Sequence, residues 1–499
     1  MTETTDTCAC NDSNNGCDSD THYALSFHCP GQYDINFKGN FEEGGKAAGS
    51  TNTTDTTDTT DTTPGEQIDT DYYTPPASPS TDFFAAIATT TPDMNNTGGL
   101  KGFSAMLVDA DENIVVAGNA SIATDSGINI FRLEPDGGVL NRTRIRLPES
   151  KGLLPYIGLA QGPDNSYLLV AEYNKGLYLL QLDSSLAILQ QAHFDFSDIS
   201  ITFKGCASTR TGELIVAAEK IVTESGVYKR RPALFKFDTQ FNLVTRKTLE
   251  DDRSIEVEGL AAVADDEFIL YCINSTHRDN HSVILLRLDA ELALDKVSQF
   301  TRSNAVESDR SLWPLSIVAD DREGYMLLLA TQTDDNSGAL VRLDADMAIV
   351  EKIEQSLPAL NRQHSKILAL HTGGYMITGS RGMVKYDPEL AYENYIHFGT
   401  FYPQQLSQDS HGRVLTGGNH GGGGGALTAL SDRLALSDGV RINSTAIQHS
   451  TLTFSTNLDR LENVDINVVM VSDTMVTHTD PGLTTSTLEY SYNIEQLRD

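Results

Sequence analysis

Leu288-Asp289-Ala290-Glu291-Leu292-Ala293-Leu294 is one copy of a pattern that decides the fold. It reads apolar residue, Asp, two further residues, then apolar-x-apolar. It returns as Leu182-Asp183…Leu186-x-Ile188, Phe237-Asp238…Phe241-x-Leu243, Leu343-Asp344…Met347-x-Ile349 and Tyr386-Asp387…Leu390-x-Tyr392. A looser first copy is Leu133-Glu134-Pro135-Asp136-Gly137, and a last one puts Ser431 at the Asp place. Successive copies lie 49, 55, 51, 55, 43 and 44 residues apart. An Asp there caps its own turn by accepting backbone N–H bonds, so turn chemistry explains its recurrence.

Two further marks run in register with this one. A polar turn feeds a continuous apolar run, as in Asn113-Ile114-Val115-Val116-Ala117-Gly118 and Glu213-Leu214-Ile215-Val216-Ala217. A run apolar at every position and too short for a helix predicts a strand covered on both faces. Ahead of each run stands a short strand of small residues, such as Gly205-Cys206-Ala207 or Gly259-Leu260-Ala261. Small side chains suit the crowded innermost strand around an axis. Seven copies of a four-stranded unit predict an all-β protein, a seven-bladed β-propeller over residues 98–449.

In these marks the chain resembles β-propellers of the NHL-like and bacterial ~50-residue-repeat kinds. The resemblance covers residues 98–449 and implies the fold and little else. Trp-Asp dipeptides, the Ser-x-Asp-x-Gly-x-Thr-Trp box and a kelch Gly-Gly pattern across blades are absent, and Trp313 is the only tryptophan.

The remainder of the chain differs in kind. The first hundred residues hold 16 acidic residues, two lysines and no arginine. Residues 1–45 read as a small Cys-containing segment with a β-hairpin over Tyr23–Phe37, and 46–97 as a Thr/Asp/Pro-rich linker or stalk. The low-complexity tract 51–63, nine of thirteen residues Thr, has too little apolar surface to offset its ordering entropy. Cys8, Cys10, Cys17 and Cys29 are disulfide candidates, favoured over zinc with His22 and His28 and over free thiols. Cys206 and Cys272 read as small buried apolar residues. Residues 450–499 alternate again and are expected to form a β extension or to supply a ring-closing strand.

Across 499 residues the net charge is −33, which disfavours nonspecific contact with nucleic acid or anionic membrane. No apolar run is long enough to span a bilayer, and the N-terminus shows no secretory signal. Seven Asn-x-Ser/Thr sequons permit glycosylation without requiring it.

The two ends of the blades differ in charge. The A–B and C–D turns together hold 23 acidic and 4 basic residues. The B–C segments hold seven of each, plus His277, His281 and His420, and are uneven in length. Lys175, Lys229, Arg230, Arg231, His277, Arg278, His281, Arg381 and His420 are therefore the candidate ligand-binding residues, set on loops that vary over a rigid frame. The expected partner is polar or anionic, a protein or a glycan. The competing reading is that long loops sample average composition while short turns are Asp-rich for capping.

No cofactor is expected; Asp109-x-Asp111 is a weak calcium candidate, and His277 with His281 a weak metal pair. No Gly-x-Ser-x-Gly, HExxH or phosphate loop occurs, so no catalytic residue is named. The leading expectation is a noncatalytic recognition or scaffold protein, extracellular or at the cell surface, with the cytoplasm as alternative. A propeller hydrolase or lyase with an axial site, and a structural subunit assembling through its terminal segments, are the rivals.

Overall fold

The computed structural model describes residues 82–88 and most of 100–431, apart from short interruptions such as 147–155, 276–280 and 303–311, together with short strands between 441 and 497. Among the described residues there is no α-helix, so none is long and apolar enough to cross a membrane. The chain forms seven antiparallel blades, with strands lettered A to D from the axis outward. Blade 1 is Leu100–Val108, Ile114–Ile122, Asp125–Leu133 and Val139–Arg146; blade 2 is Tyr156–Gln161, Tyr167–Tyr173, Gly176–Leu182 and Ile188–Asp195. Blade 3 is Ser200–Ser208, Leu214–Glu224, Val227–Phe237 and Leu243–Glu250; blade 4 is Ile255–Ala264, Glu267–Asn274, Ser282–Asp289 and Leu294–Arg302. Blade 5 is Leu312–Asp320, Gly324–Thr331, Ser337–Leu343 and Ile349–Ser356; blade 6 is Ile367–Ala369, Tyr375–Thr378, Gly382–Tyr386 and Tyr392–His397. Blade 7 takes strands A to C from Phe401–Gln408, Arg413–His420 and Gly424–Ser431.

The fourth strand of blade 7 comes from the other end of the chain. Asp82–Ala88 pairs antiparallel with strand C, Phe83 opposite Ala429 and Ile87 opposite Gly425. The 98–449 boundary drawn from the repeat therefore omits a strand of the ring, and the expected linker 46–97 contains it. The cause of the miss is plain: Phe83-Phe84-Ala85-Ala86-Ile87 is a short continuous apolar run but carries none of the turn marks that defined the repeat.

The C-terminal extension does not close the ring but belts it. Leu461–Val464 adds to the outer edge of blade 4, Val469–Ser472 to blade 3, His478–Thr479 to blade 2, Thr485–Ser486 to blade 1, and Ser491–Leu497 to the Asp82–Ala88 strand of blade 7. An outer strand otherwise presents unpaired N–H and C=O groups, and the belt satisfies part of that row.

The recurrent Asp residues act as expected. Asp183 Oδ1 accepts the backbone N–H groups of Ser185 and Ala187 at 2.8 and 2.9 Å, and Asp238 and Asp289 repeat the arrangement. The turn then places Leu186, Phe241, Leu292, Met347 or Leu390 at φ between 57° and 67°, where glycine is usual. All five side chains are buried between blades, and that burial offsets a left-handed cost of roughly 1–2 kcal/mol each.

The acidic turns also latch neighbouring blades, which sequence patterning did not show. Asp109 Oδ2 in the A–B turn of blade 1 accepts Arg132 Nε at 3.0 Å and the Tyr167 hydroxyl of blade 2 at 2.7 Å. Asp320 of blade 5 likewise accepts Arg342 Nε at 2.8 Å and the Tyr375 hydroxyl of blade 6. Lys236 of blade 3 bridges Glu213 of its own blade and Glu291 of blade 4 at 3.2 and 2.8 Å. Burial alone would raise the Asp109 carboxyl; the Tyr167 hydroxyl, the Asn113 N–H and Arg132 outweigh it and hold the group below the usual range.

Two outcomes follow. Deleting residues 1–80 should leave the thermal midpoint nearly unchanged, whereas deleting 1–90 should lower it by about 5 °C or more; equal midpoints would show that Asp82–Ala88 is not part of the ring. Arg342→Ala should cost about 3 kcal/mol in urea unfolding, because Asp320 is left buried beside Tyr375 without its cation.

Candidate functional site on the loop face

Strand B of each blade runs from the turn face to the opposite, loop face. Where its apolar run ends there, four consecutive blades carry Asn419, Asn119, Glu172 and Glu219. Three of them, Asn419, Glu172 and Glu219, close on the inner strand of the next blade. Glu172 accepts the backbone N–H of Phe203 in blade 3, and Glu219 accepts that of Val257 in blade 4 at 3.3 Å. Asn419 lies against Gly102 of blade 1 so closely that a Cβ there would fall 1.2 Å from its Oδ1. Gly102 also has φ 114°, so both space and backbone require glycine.

The inner strands of blades 3 and 4 add charge to this arc. Phe203/Gly205 and Val257/Gly259 flank irregularities in the register, and the residues between them are Lys204 and Glu258. Lys204 Nζ stands 3.7 Å from Glu219 Oε2. Arg230, on strand C of blade 3, reaches Glu219 at 3.4 Å and Glu256 at 2.9 Å. Four carboxylates and two cations thus meet across blades 2 to 4.

Burial sets the electrostatics. It raises the Glu172 carboxyl, with the Phe203 N–H and Lys204 opposing, and it raises Glu219, with Lys204 and Arg230 opposing. Glu258 is pushed up to about 7 by burial, lowered by Lys204 and raised by Glu256 and Glu219. Below Glu172 lies a small cavity between blades 2 and 3, walled by Leu177, Phe196, Ile201, Phe203 and Phe235, with room for about one water.

The structure redistributes the residues expected from sequence. The segment 219–232 is not a loop. Strands B and C of blade 3 pair through Glu224 opposite Val227, so the two form one projecting hairpin with Ser225-Gly226 between them. The β-branched Ile221-Val222-Thr223 run continues the strand, a signal that the charge count obscured. Lys229 and Arg231 brace this hairpin through Glu224 at 2.9 and 2.5 Å, and Arg230 turns to the carboxylates on the other side. His281 packs edge-on against Trp313, ring centroids 4.9 Å apart. Lys175, His277, Arg278, Arg381, Cys8, Cys10, Cys17 and Cys29 lie outside the described residues, as does the side chain of His420.

Glu172, Lys204, Glu219, Glu256 and Glu258 were missed. The signal for two of them was present: Glu172 and Glu219 occupy the place that reads Asn in blades 7 and 1. Asp109, the weak calcium candidate, has both oxygens taken by Arg132, Tyr167 and the turn N–H groups. Cys206 and Cys272 are free thiols; burial pushes Cys206 up to about 12 and Cys272 well above its ordinary value, leaving both unreactive.

No protein-family model, the NHL-like repeats included, matches the chain, and no curated protein sequence matches it. Among solved structures, the Dos1 propeller is similar over 67% of this chain and 93% of its own, at 10% identity and TM-score 0.40. A gluconolactonase from Xanthomonas campestris is similar over 58% and 90%, at 14% identity and TM-score 0.35. A subtype N10 neuraminidase-like protein of a bat influenza virus is similar over 66% and 92%, at 8% identity and TM-score 0.35. The chain is a seven-bladed β-propeller. These likenesses are too distant to bear on its activity.

The Glu258 carboxyl supplies a pH test. A group raised from 4.5 to about 7 in the fold binds its proton more tightly there than in the open chain. Its contribution is full below about pH 4.5 and is lost as pH rises through 7. Glu258→Gln should therefore be more stable than the parent protein at pH 8, by about 2 kcal/mol, and closer to it at pH 5. A pH-independent difference would place the neutral titration elsewhere.

Proposed function

We propose that this protein is a noncatalytic recognition module, tethered by its N-terminal segment, that meets a polar partner (a protein or a glycan) through the loop face. The observation carrying this reading is the polarity of the closing strand. Asp82–Ala88 runs antiparallel to strand C of blade 7, and strand C runs from loop face to turn face. Asp82 therefore sits at the turn face, beside Leu497 of the belt, so the first 81 residues and the end of the chain both leave from that side. The turn face is acidic, and so is the composition of residues 1–81.

The loop face is then the one presented outward, and it carries the uneven, projecting hairpins and the charged arc. Among the described residues, the candidate cations are already matched: Lys229 and Arg231 by Glu224, Arg230 by Glu219 and Glu256. That internal pairing argues for a polar partner over a strongly anionic one. Display outside the cell or at its surface belongs to this proposal, consistent with a Thr-rich tether and the sequons.

A second reading, an axial hydrolase or lyase, is favoured by one observation, the neutral-range carboxyl of Glu258 among three other glutamates. Such a group could give and take a proton at pH 7.

The test is a glycan and protein array probed with two labelled variants. A bulky maleimide label at Tyr228→Cys on the loop face should abolish whatever binding the parent shows, while the same label at Asp136→Cys on the turn face should leave it intact. The reverse pattern would overturn the assignment of faces. Conversion of a bound glycan by the parent but not by Glu258→Gln would move the conclusion to the enzyme.

A further inference from the structure

Two exposed tyrosines flank the charged arc. Tyr156 opens strand A of blade 2 and is 61% exposed; its direct cross-strand partner is Glu172. Paired residues on adjacent strands project to the same side, so the ring stands beside the Glu172 carboxylate. Tyr228 is 77% exposed near the tip of the blade 3 hairpin. It lies two residues from Arg230 on one strand, hence on the same face, and farther from the ring body. Arg230 reaches Glu219 and Glu256, so Tyr228 overhangs that end of the arc. Tyr156, Glu172, Lys204, Glu219 and Arg230 thus follow one another across blades 2 to 4, with Glu256 and Glu258 beside them and Tyr228 next to Arg230.

Among the described residues, neither ring belongs to a hydrophobic core cluster. An exposed aromatic ring offers a flat apolar surface with an electron-rich face, which suits the C–H face of a sugar ring or a nearby cation. Carboxylates between the rings accept hydrogen bonds from hydroxyl or ammonium groups. Four carboxylates against Lys204 and Arg230 leave the arc net negative, so a ligand carrying positive charge is favoured and an acidic sugar disfavoured. Glu258 has no hydrogen bond or close ion pair of its own among the described residues, so it retains its acceptor capacity.

We propose that this arc is a binding site for an amine-bearing saccharide, sugar rings lying on Tyr156 and Tyr228 and an ammonium group meeting Glu258. The inference rests on the loop-face recognition reading and narrows its ligand class. The ligand's amine and Glu258 then oppose each other through the neutral range, and affinity should rise with pH until the amine itself loses its proton.

The experiment is calorimetric titration of the full chain with a glucosamine oligomer, its fully N-acetylated counterpart, a polyuronate oligomer and spermidine. The glucosamine oligomer should bind, with the acetylated form about tenfold weaker and the polyuronate not binding. Tyr156→Ala, Tyr228→Ala and Glu258→Gln should each weaken the glucosamine oligomer by about tenfold, and Asp136→Ala on the turn face should bind like the parent. Equal binding of the amine and acetylated forms, or tighter binding of the polyuronate, overturns the amine requirement while leaving glycan recognition by this face standing. Spermidine binding as tightly as the oligomer overturns the saccharide requirement. Binding unaffected by Tyr156→Ala and Glu258→Gln places the ligand elsewhere, and no binding of any saccharide overturns the proposal; the labelled-variant array then decides whether the loop face recognises anything else.

Discussion

A ring of blades exists only if its last sheet is completed, and here the completing contact is the antiparallel pairing of Asp82–Ala88 with Gly424–Ser431. Each other blade is finished by the strand that follows its own C strand. In blade 7 the missing strand must come from elsewhere, and drawing it from the far end of the chain ties residues more than 330 positions apart. Everything directional about the molecule follows from that register. It places Asp82, and Leu497 beside it, at the turn face.

The belt extends the same logic around the rim. Five successive pairings, on blades 4, 3, 2, 1 and 7, run against the order in which the blades were built. The last of them, Ser491–Leu497, lies on the closing strand itself, which is therefore held on both edges. On the turn face, Asp109–Tyr167, Asp320–Tyr375 and Glu291–Lys236 join blade to blade, so acidity that looks like surface charge is spent largely on capping and latching. A face consumed by structural bonds is a poor place to recognise a partner, and the proposed recognition therefore uses the opposite one.

Much of this architecture was legible in the residues. The Asp-x-x-Leu turn, the fully apolar second strand and the small-residue inner strand are local features, each set by a few neighbouring side chains, and they gave the blade count. The closing strand was not legible, because Asp82–Ala88 belongs to the ring only through a partner hundreds of residues away. The charged arc was not legible for a related reason. Counting charges by segment marked Lys229, Arg230 and Arg231, yet strand register places two of them on one side of a hairpin and one on the other. The glutamates that matter sit at the ends of apolar runs, where Glu172 and Glu219 look like strand termini until the next blade's inner strand is placed against them.

Amide hydrogen exchange on the full chain tests the central claim, that Asp82–Ala88 is an integral strand whose direction sets the two faces. The amides of Phe83 to Ile87 should exchange as slowly as those of Leu427 to Ala429, in the same cooperative unit. Exchange of Phe83 to Ile87 at the rate of an open chain, with blade 7 still protected, would contradict it and with it the assignment of an outward loop face.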